Sequence, residues 1–224
     1  MEDVVLVTPP IAEPVSLDEV KMHLNITNSD SDNYLSGIVI PGARDFVESE
    51  TQKSLVTQTW LYKMDGFPGF NPLYESVDYP IIIVPKAPFQ EIVSFTYVDV
   101  SGITQTLEAC SIDGTTPDEQ MYGYQIDPGS ETQPARLIPP WARPWPPSRR
   151  IPAAVQVQFI CGYGGPVGSP LVWTGSPIPA LLKNALLFLC AHWYDNRWGV
   201  MDGSLKEVPL GIERCLNPYR NTIV

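Results

Sequence analysis

The feature that most constrains the fold is where the helical signals fall: at both ends of the chain, with about a hundred residues of strand and turn sequence between them. Ser16-Leu17-Asp18-Glu19 is a capping-box pattern, in which the Ser16 hydroxyl caps a helix and Glu19 reaches back to the Ser16 backbone. Leu17, Val20 and Leu24 then share one face. Near the other end, from about Pro179 to Arg197, Leu181, Leu182, Ala185, Leu186, Leu189, Cys190 and Trp193 form a broad apolar stripe at helical spacing. Such a stripe needs a partner, and the helices at the two ends supply one for each other. The middle of the chain is then an insertion between helices that pack together.

Asn28-Ser29-Asp30-Ser31-Asp32 caps a second helix carrying Tyr34, Leu35, Ile38, Val39, Ala43, Phe46 and Val47. Pro41 falls in its middle, removes a backbone hydrogen bond and predicts a bend. From Val56 the apolar period shortens, and strands are predicted over 56–64, 81–84, 92–98, 103–107, 124–127, 135–138 and 154–160. In the last of these Val155, Val157 and Phe159 lie on one side of a sheet. Asp99-Val100-Ser101-Gly102 reads as a hairpin turn. Residues 139–152 and 161–177 read as loops, 199–208 as a mobile loop and 209–216 as a short last helix. The expected fold class is α+β: a small α-helical bundle formed by N- and C-terminal helices, a large inserted β-rich region and an extended C-terminal tail. The expected divisions are 1–54 (helical), 55–177 (β-rich), 178–216 (helices completing the bundle) and 217–224 (tail).

Composition narrows the function classes. A net charge of −11 argues against phosphate-backbone binding, which depends on clustered Lys and Arg. An acidic wall suits nucleic acid that must slide past without sticking. The four cysteines, Cys110, Cys161, Cys190 and Cys215, contain no C-x-x-C pair, so they read as free thiols and not as a zinc or redox motif. Residues 1–7 carry no basic leader, and no segment reaches the ~18 to 20 apolar residues of a membrane span. The expectation is a protein made and kept in a cytoplasm, with no membrane partner. The 24 prolines are about double the usual share of roughly 5%, which predicts many fixed turns.

No catalytic constellation stands out. His23 and His192 are the only histidines, and both read as helix-packing residues; His192 and Asp195 stand at i, i+3, but no Ser or Cys nucleophile accompanies them. Asp45, Glu48 and Glu50, and Asp113 with Asp118 and Glu119, read as solvated surface charge. Gly162-Tyr163-Gly164-Gly165 lacks the Lys-Ser/Thr ending of a phosphate loop and is followed by Pro166. No cofactor or metal is expected. The only local basic cluster is 141–150, with Trp141, Arg143, Trp145, Arg149 and Arg150. Arginines beside tryptophans and prolines either pack on their own sheet or bind a partner, a neighbouring protein subunit before nucleic acid.

The landmarks of the chain resemble a known family. Thr8-Pro9-Pro10, Glu13-Pro14-Val15-Ser16-Leu17-Asp18-Glu19-Val20, Ala43-Arg44-Asp45-Phe46-Val47-Glu48 and Leu55-Val56-Thr57-Gln58-Thr59-Trp60 follow in order. Phe159-Ile160-Cys161-Gly162-Tyr163-Gly164, Ile178-Pro179 and Val208-Pro209-Leu210-Gly211-Ile212 continue the series to Leu216-Asn217-Pro218-Tyr219-Arg220. Together they resemble the head-to-tail connector, or head-completion adaptor, proteins of tailed bacteriophages and gene transfer agents. That resemblance implies a structural virion protein without enzyme activity. It would form a ring, usually twelve-fold, under the portal of a filled capsid and dock the next neck or tail-completion protein, and the genome would pass its lumen without specific binding. The implied location is the virion neck, after synthesis in the host bacterial cytoplasm. The C-terminal segment of such proteins commonly reaches toward the portal, which makes Leu216, Pro218, Tyr219 and Arg220 partner-binding candidates beside Trp141, Arg143 and Trp145. An aromatic and an arginine on a proline-stiffened tail are residue types enriched at interface hot spots. Helix faces around Tyr34, His192 and Trp193 are candidates for the contact between ring subunits. Two other classes remain open: a β-rich virion module binding carbohydrate or a receptor, which six tryptophans would suit, and a hydrolase needing paired carboxylates or a perturbed His192.

Overall fold

The computed structural model describes residues 2–68, 80–110, 122–131, 133–140, 143–167, 172–175, 177–197 and 210–220. The chain divides into two compact units, one from Met1–Pro9 and Gln58–Cys161, the other from Pro10–Thr57 and Gly162–Val224. The architecture is α+β: the helices from both ends of the chain share one unit, and the sheets of the inserted sequence form the other.

The strands of the β unit are β1 (Glu2–Thr8), β2 (Gln58–Met64), β3 (Ile82–Ile83), β4 (Phe89–Val98), β5 (Thr104–Thr106), β6 (Gln125–Asp127), β7 (Arg136–Ile138) and β8 (Val155–Cys161). They make a five-stranded antiparallel sheet in the order β1-β2-β8-β4-β5 and a three-stranded one in the order β3-β7-β6. Strict alternation in β8 buries Val155, Val157, Phe159 and Cys161 and leaves the residues between them half-buried. Register carries that face across the sheet, with Tyr62 and Phe95 both opposite Val157. The core built on it is aromatic: Phe67 stacks on Trp145 at 5.1 Å, and Phe95 meets Tyr124 at 5.2 Å. The β4-β5 hairpin closes as expected at Asp99, whose carboxylate accepts from the Ser101 and Ile103 N–H groups.

β1 is an addition to the sequence reading. Its seven residues lack polar/apolar alternation, and it is held by pairing with a segment more than fifty residues away, Glu2 opposite Met64 through Leu6 opposite Trp60. The units accordingly divide the chain at other places than the 54/55 and 177/178 limits expected from sequence. Residues 1–9 go with the sheets, and 55–57 and 162–177 go with the helices.

In the helical unit α1 (Leu17–Leu24) starts on the expected capping box: the Ser16 N–H donates to Glu19 Oε2 at 2.8 Å and the Glu19 N–H to Ser16 Oγ at 3.1 Å. α2 (Asp32–Tyr34), a π turn (Leu35–Val39) and α3 (Ile40–Thr51) follow one another without a break. The disturbance predicted at Pro41 thus lies one turn earlier, where the Ile40 N–H donates to the Leu35 carbonyl. A wider turn gives the carbonyls upstream of a proline a different set of donors. α4 (Ala180–Asp195) and α5 (Leu210–Leu216) end the helical set, and a 3-10 turn at Asn217–Tyr219 follows α5. The aliphatic core joins Val20, Leu35, Val39, Val47 and Leu55 to Leu182, Leu186, Leu189, Ile212 and Leu216.

Residues 164–167, read as loop, pair as a hairpin of β9 (Gly164–Val167) with β10 (Val172–Gly175). Gly162 explains how the chain enters it: φ is +131°, and a Cβ there would stand 2.5 Å from the Val56 carbonyl oxygen. The glycines serve a close backbone crossing, where Thr57 N–H donates to Gly164 O at 2.8 Å.

Candidate assembly surfaces

The C-terminal candidates are folded back. Leu216 is 1% exposed in the helical core, Tyr219 is half-buried against that core, and Pro218 is exposed between them. Arg220 donates to Glu50 Oε2 at 2.7 Å and to Asn217 Oδ1 at 3.0 Å. The expectation of an extended tail is therefore corrected for 217–219, because docking the two apolar side chains curls the backbone into a 3-10 turn. Residues 221–224 lie outside the described residues.

Trp145 also leaves the candidate surface. It is 7% exposed, flat against Phe67, and its indole N–H donates to the Pro80 carbonyl at 2.7 Å, which satisfies its one polar group inside the unit. Arg143 is exposed, with its N–H closing a turn onto Pro140 O at 3.0 Å. Trp141, like Asp113, Asp118, Glu119 and the 199–208 segment, lies outside the described residues.

The helix faces expected to meet a neighbouring subunit already have internal contacts. Trp193 stands edge-on to Phe46 at 6.1 Å and beside Gly42, where a Cβ would lie 3.2 Å from its ring. Arg197 lies over the Tyr34 ring at 4.5 Å. His192 Nδ1 is 3.3 Å from Asn196 Nδ2, one turn along the same helix. Glu48 corrects the surface-charge reading: it is buried and accepts the Leu55 N–H at 2.7 Å, pinning the chain as it leaves α3. The thiols of Cys161 and Cys190 are buried, and burial first, then the negative charge of Glu13, pushes Cys190 up to about 12. Such a thiol packs as a small hydrophobe and does not react. Among the described residues no group of three or more His, Cys, Asp and Glu is placed to hold a metal, and no helix is long and apolar enough to cross a membrane.

Two surface features emerge that the sequence reading did not assemble. The first is a groove of about 450 Å³ in the helical unit, walled by Pro14, Ile178 and Ala180 and edged by Glu13, Glu19 and Lys183. Lys183 pairs with Glu19 at 3.1 Å and Arg44 with Glu13 Oε1 at 2.9 Å, while Glu13 Oε2 is buried without a hydrogen-bond partner among the described residues. Burial raises the Glu13 carboxyl above the usual range against the pull of Arg44, and Asp45 adds to the rise. Burial opposes ionisation of Glu19 too, but the Ser16 N–H, Lys183 and the Ser16 hydroxyl outweigh it and hold that carboxyl low.

The second feature is the tip of the β4-β5 hairpin. Val100, Ile103 and Ile151 are 66%, 59% and 37% exposed around Arg149 and Arg150. The backbone there is pinned: Ser148 bridges to Asp99, and the Arg149 N–H donates to Val98 O at 2.9 Å. A Cβ at Gly102 would lie 2.6 Å from Arg149 Nη1, which places that guanidinium against the hairpin. Among the described residues neither arginine forms an ion pair. The two β-branched residues flanking Ser101-Gly102 are visible in the sequence, but nothing near them there brings Arg149 and Arg150 alongside.

Comparison with known proteins places this architecture. Residues 14–85 match the model of the phage gp6-like head-tail connector protein family. No curated protein matches the chain by sequence. Among solved structures the chain is similar to one from the neck of an empty gene transfer agent (GTA) particle computed with C6 symmetry, at 18% identity and a TM-score of 0.68, over 99% of this chain and 97% of that one. A chain of the virion of a native GTA particle aligns at 19% identity and 0.67, over 99% and 96%. One from the neck of a native GTA particle computed with C12 symmetry aligns at 20% and 0.63, over 100% and 97%. Over residues 14–85 this chain is thus similar to the phage gp6-like head-tail connector proteins, and over its whole length it has the fold of these GTA neck chains.

Proposed function

We propose that this protein is a structural head-to-tail connector, a subunit of a ring in the neck of a tailed particle that joins the DNA-filled head to the tail. The observation that carries the reading is the agreement of two independent likenesses, a connector-family match over residues 14–85 and a fold shared end to end with neck chains. The ring sits under the portal, usually in twelve copies, binds the portal on one side and a neck or tail-completion protein on the other, and lets the genome through. It acts in the virion neck after synthesis in the bacterial cytoplasm. A net charge of −11 suits a lumen wall that repels DNA.

Of the partner candidates, Pro218, Tyr219, Arg220 and Arg143 stay at the surface. The Arg220–Glu50 pair is exposed at both ends, so exchanging it for a partner carboxylate costs only about 0–1 kcal/mol. The reading is tested by quantitative mass spectrometry of purified particles, measuring this protein against the portal subunit. A near-equal ratio, or the small mismatch of two stacked rings, is expected. Absence from particles, or a few copies only, would remove the connector assignment.

A further inference from the structure

The five-stranded sheet ends in two open edges. Among the described residues β1 pairs only with β2 and β5 only with β4, so each turns a row of backbone N–H and C=O groups outward. Edge strands are usually short or guarded by charge, yet β1 runs for 7 residues and exposes Val5, Leu6 and Val7 at 36%, 42% and 47%. Its charges lie at one end only, in the exposed Glu2 and Asp3. Neither forms an ion pair among the described residues: Asp3 stands opposite Lys63 without closing one, and Glu2 accepts the Tyr62 hydroxyl. At the other edge are Arg149 and Arg150, equally without ion pairs, and the Arg149 guanidinium lies against Gly102, just before β5.

We propose that β1 of one copy adds to the β5 edge of the next copy, continuing the sheet from subunit to subunit. This rests on the ring reading above and gives it its contact residues. One edge meeting a different edge is a heterologous contact, which propagates in one direction and closes into a ring when the rotation per subunit is fixed. Strand register shows that the two edges match. Every pairing between β1 and β5 is antiparallel, in the order β1-β2-β8-β4-β5, so an added β1 runs parallel to β5. Glu2 lies in one row with Met64, Val155, Tyr97 and Gln105, and Asp3 in one row with Lys63, Gln156, Thr96 and Thr106. The carboxylates of the added strand therefore arrive beside β5, at the end of the sheet that carries Arg149 and Arg150. Farther from the tip, Val5 and Leu6 lie in the rows of Ser94 and Ile92, and the 49% exposed Val93 bulges out between those two. Main-chain pairing along the 3 residues of β5 is brief, so the charged end and the apolar end together set direction and register. The contact weakens as salt screens its exposed charges.

The test places one cysteine on each edge, Val5→Cys on β1 and Thr106→Cys on β5, in a background with the half-exposed Cys110 and Cys215 changed to serine. Within one chain these edges stand roughly 19 Å apart across the sheet, beyond the reach of an ethylene-linked bis-maleimide. Particles assembled with the double variant are treated with that reagent and run under denaturing conditions. A ladder of multimers of this chain is expected, whereas particles mixed from the two single variants give dimers only. Normal copy number without a cross-link, a dimer from either single variant alone, or a cross-link to a different virion protein would each overturn the contact. Absence of wild-type chain from particles would instead strike the connector reading itself. A charge swap decides independently of the cysteines. Arg149→Glu with Arg150→Glu leaves the melting temperature of the isolated chain unchanged and lowers its copies per particle about tenfold or more, because like charges then meet at the edge. Adding Glu2→Lys and Asp3→Lys to the same chain restores the copies. Unchanged copy number in the first chain, or no recovery in the second, overturns the proposal.

Discussion

In the helical unit Lys21, Arg44, Lys183 and Arg220 each reach a carboxylate on a different segment, Asp32, Glu13, Glu19 and Glu50, at 2.7, 2.9, 3.1 and 2.7 Å. In the β unit Arg136 pairs with Asp127 on the adjacent strand, and Arg149 and Arg150 form no ion pair among the described residues. The cores differ in the same way, aliphatic ridges between helices against a cluster of Phe, Tyr and Trp on one sheet face. Exposed pairs stabilise weakly, so Lys183–Glu19 and Arg220–Glu50, which join segments up to 170 residues apart, matter more as register marks than as energy. The contrast teaches that the helical unit uses its cations to hold itself together, while the β unit presents two of its own outward.

The sharpest way to break that comparison is to truncate each core in turn. Phe95→Ala removes the ring that touches Phe67, Tyr124 and Trp145 and is expected to cost about 3–5 kcal/mol; Leu186→Ala in the helical core is expected to cost about 2–5 kcal/mol. Native-state hydrogen exchange on both variants should show the loss of protection concentrated in the unit that was cut. Equal loss in both units from either cut would mean that the two cores do not stand apart energetically. A step smaller is Glu48→Ala, which leaves the buried Leu55 N–H without its acceptor and should cost about 1–3 kcal/mol by urea denaturation. A value near zero would return Glu48 to the status of ordinary surface charge.

Smaller still is the cap. Ser16→Ala removes half of the capping box and should cost about 1 kcal/mol. It also sharpens the comparison through pH. The Glu19 carboxyl lies below its ordinary 4.5 in the fold, so its contribution is present above that pH and is lost as pH falls through the lower folded value. Glu13 lies above 4.5, so its sign is opposite: it is protonated in both states at low pH, and stability falls as pH rises from 4.5 through the raised folded value. Urea midpoints measured across these windows should lose the acid-side slope partly in Ser16→Ala and the fall above 4.5 in Glu13→Gln. No change in either profile would show that the groove carboxylates are not tuned by their surroundings.

Much of the fold was legible because its signals are local. The Ser16/Glu19 box, the α4 stripe, the alternation of β8 and the Asp99 turn are each written within twenty residues. β1 was not legible, because Val4, Val5, Leu6 and Val7 carry no period and their pairing with β2 is settled by long-range register. Trp145 was read as a partner-binding candidate for the same reason, since nothing near it in sequence announces Phe67 or Pro80 O. The surface patches were legible only in part. Arg149 and Arg150 were visible as a basic cluster, but the exposed Val100 and Ile103 beside them come from a hairpin that the chain reaches some fifty residues earlier. The groove gathers residues from 13–19 and 177–183, which only the packing of α1 on α4 brings together.

The smallest expected effect on stability is Arg220→Ala, and it separates the two kinds of cation most cleanly. Arg220 and Glu50 are each about two-fifths exposed, so water solvates both charges and the pair contributes about 0–1 kcal/mol. Loss of the guanidinium also frees Asn217, an exposed acceptor that water satisfies. Urea denaturation should therefore barely move, and Tyr219 should keep its place on the helical core. If instead the variant loses more than about 2 kcal/mol, the last turn is an integral part of the bundle and cannot be exchanged for a partner at low cost. If stability is unchanged but copies per particle fall, Arg220 is a cation whose acceptor in the assembled particle lies on another molecule.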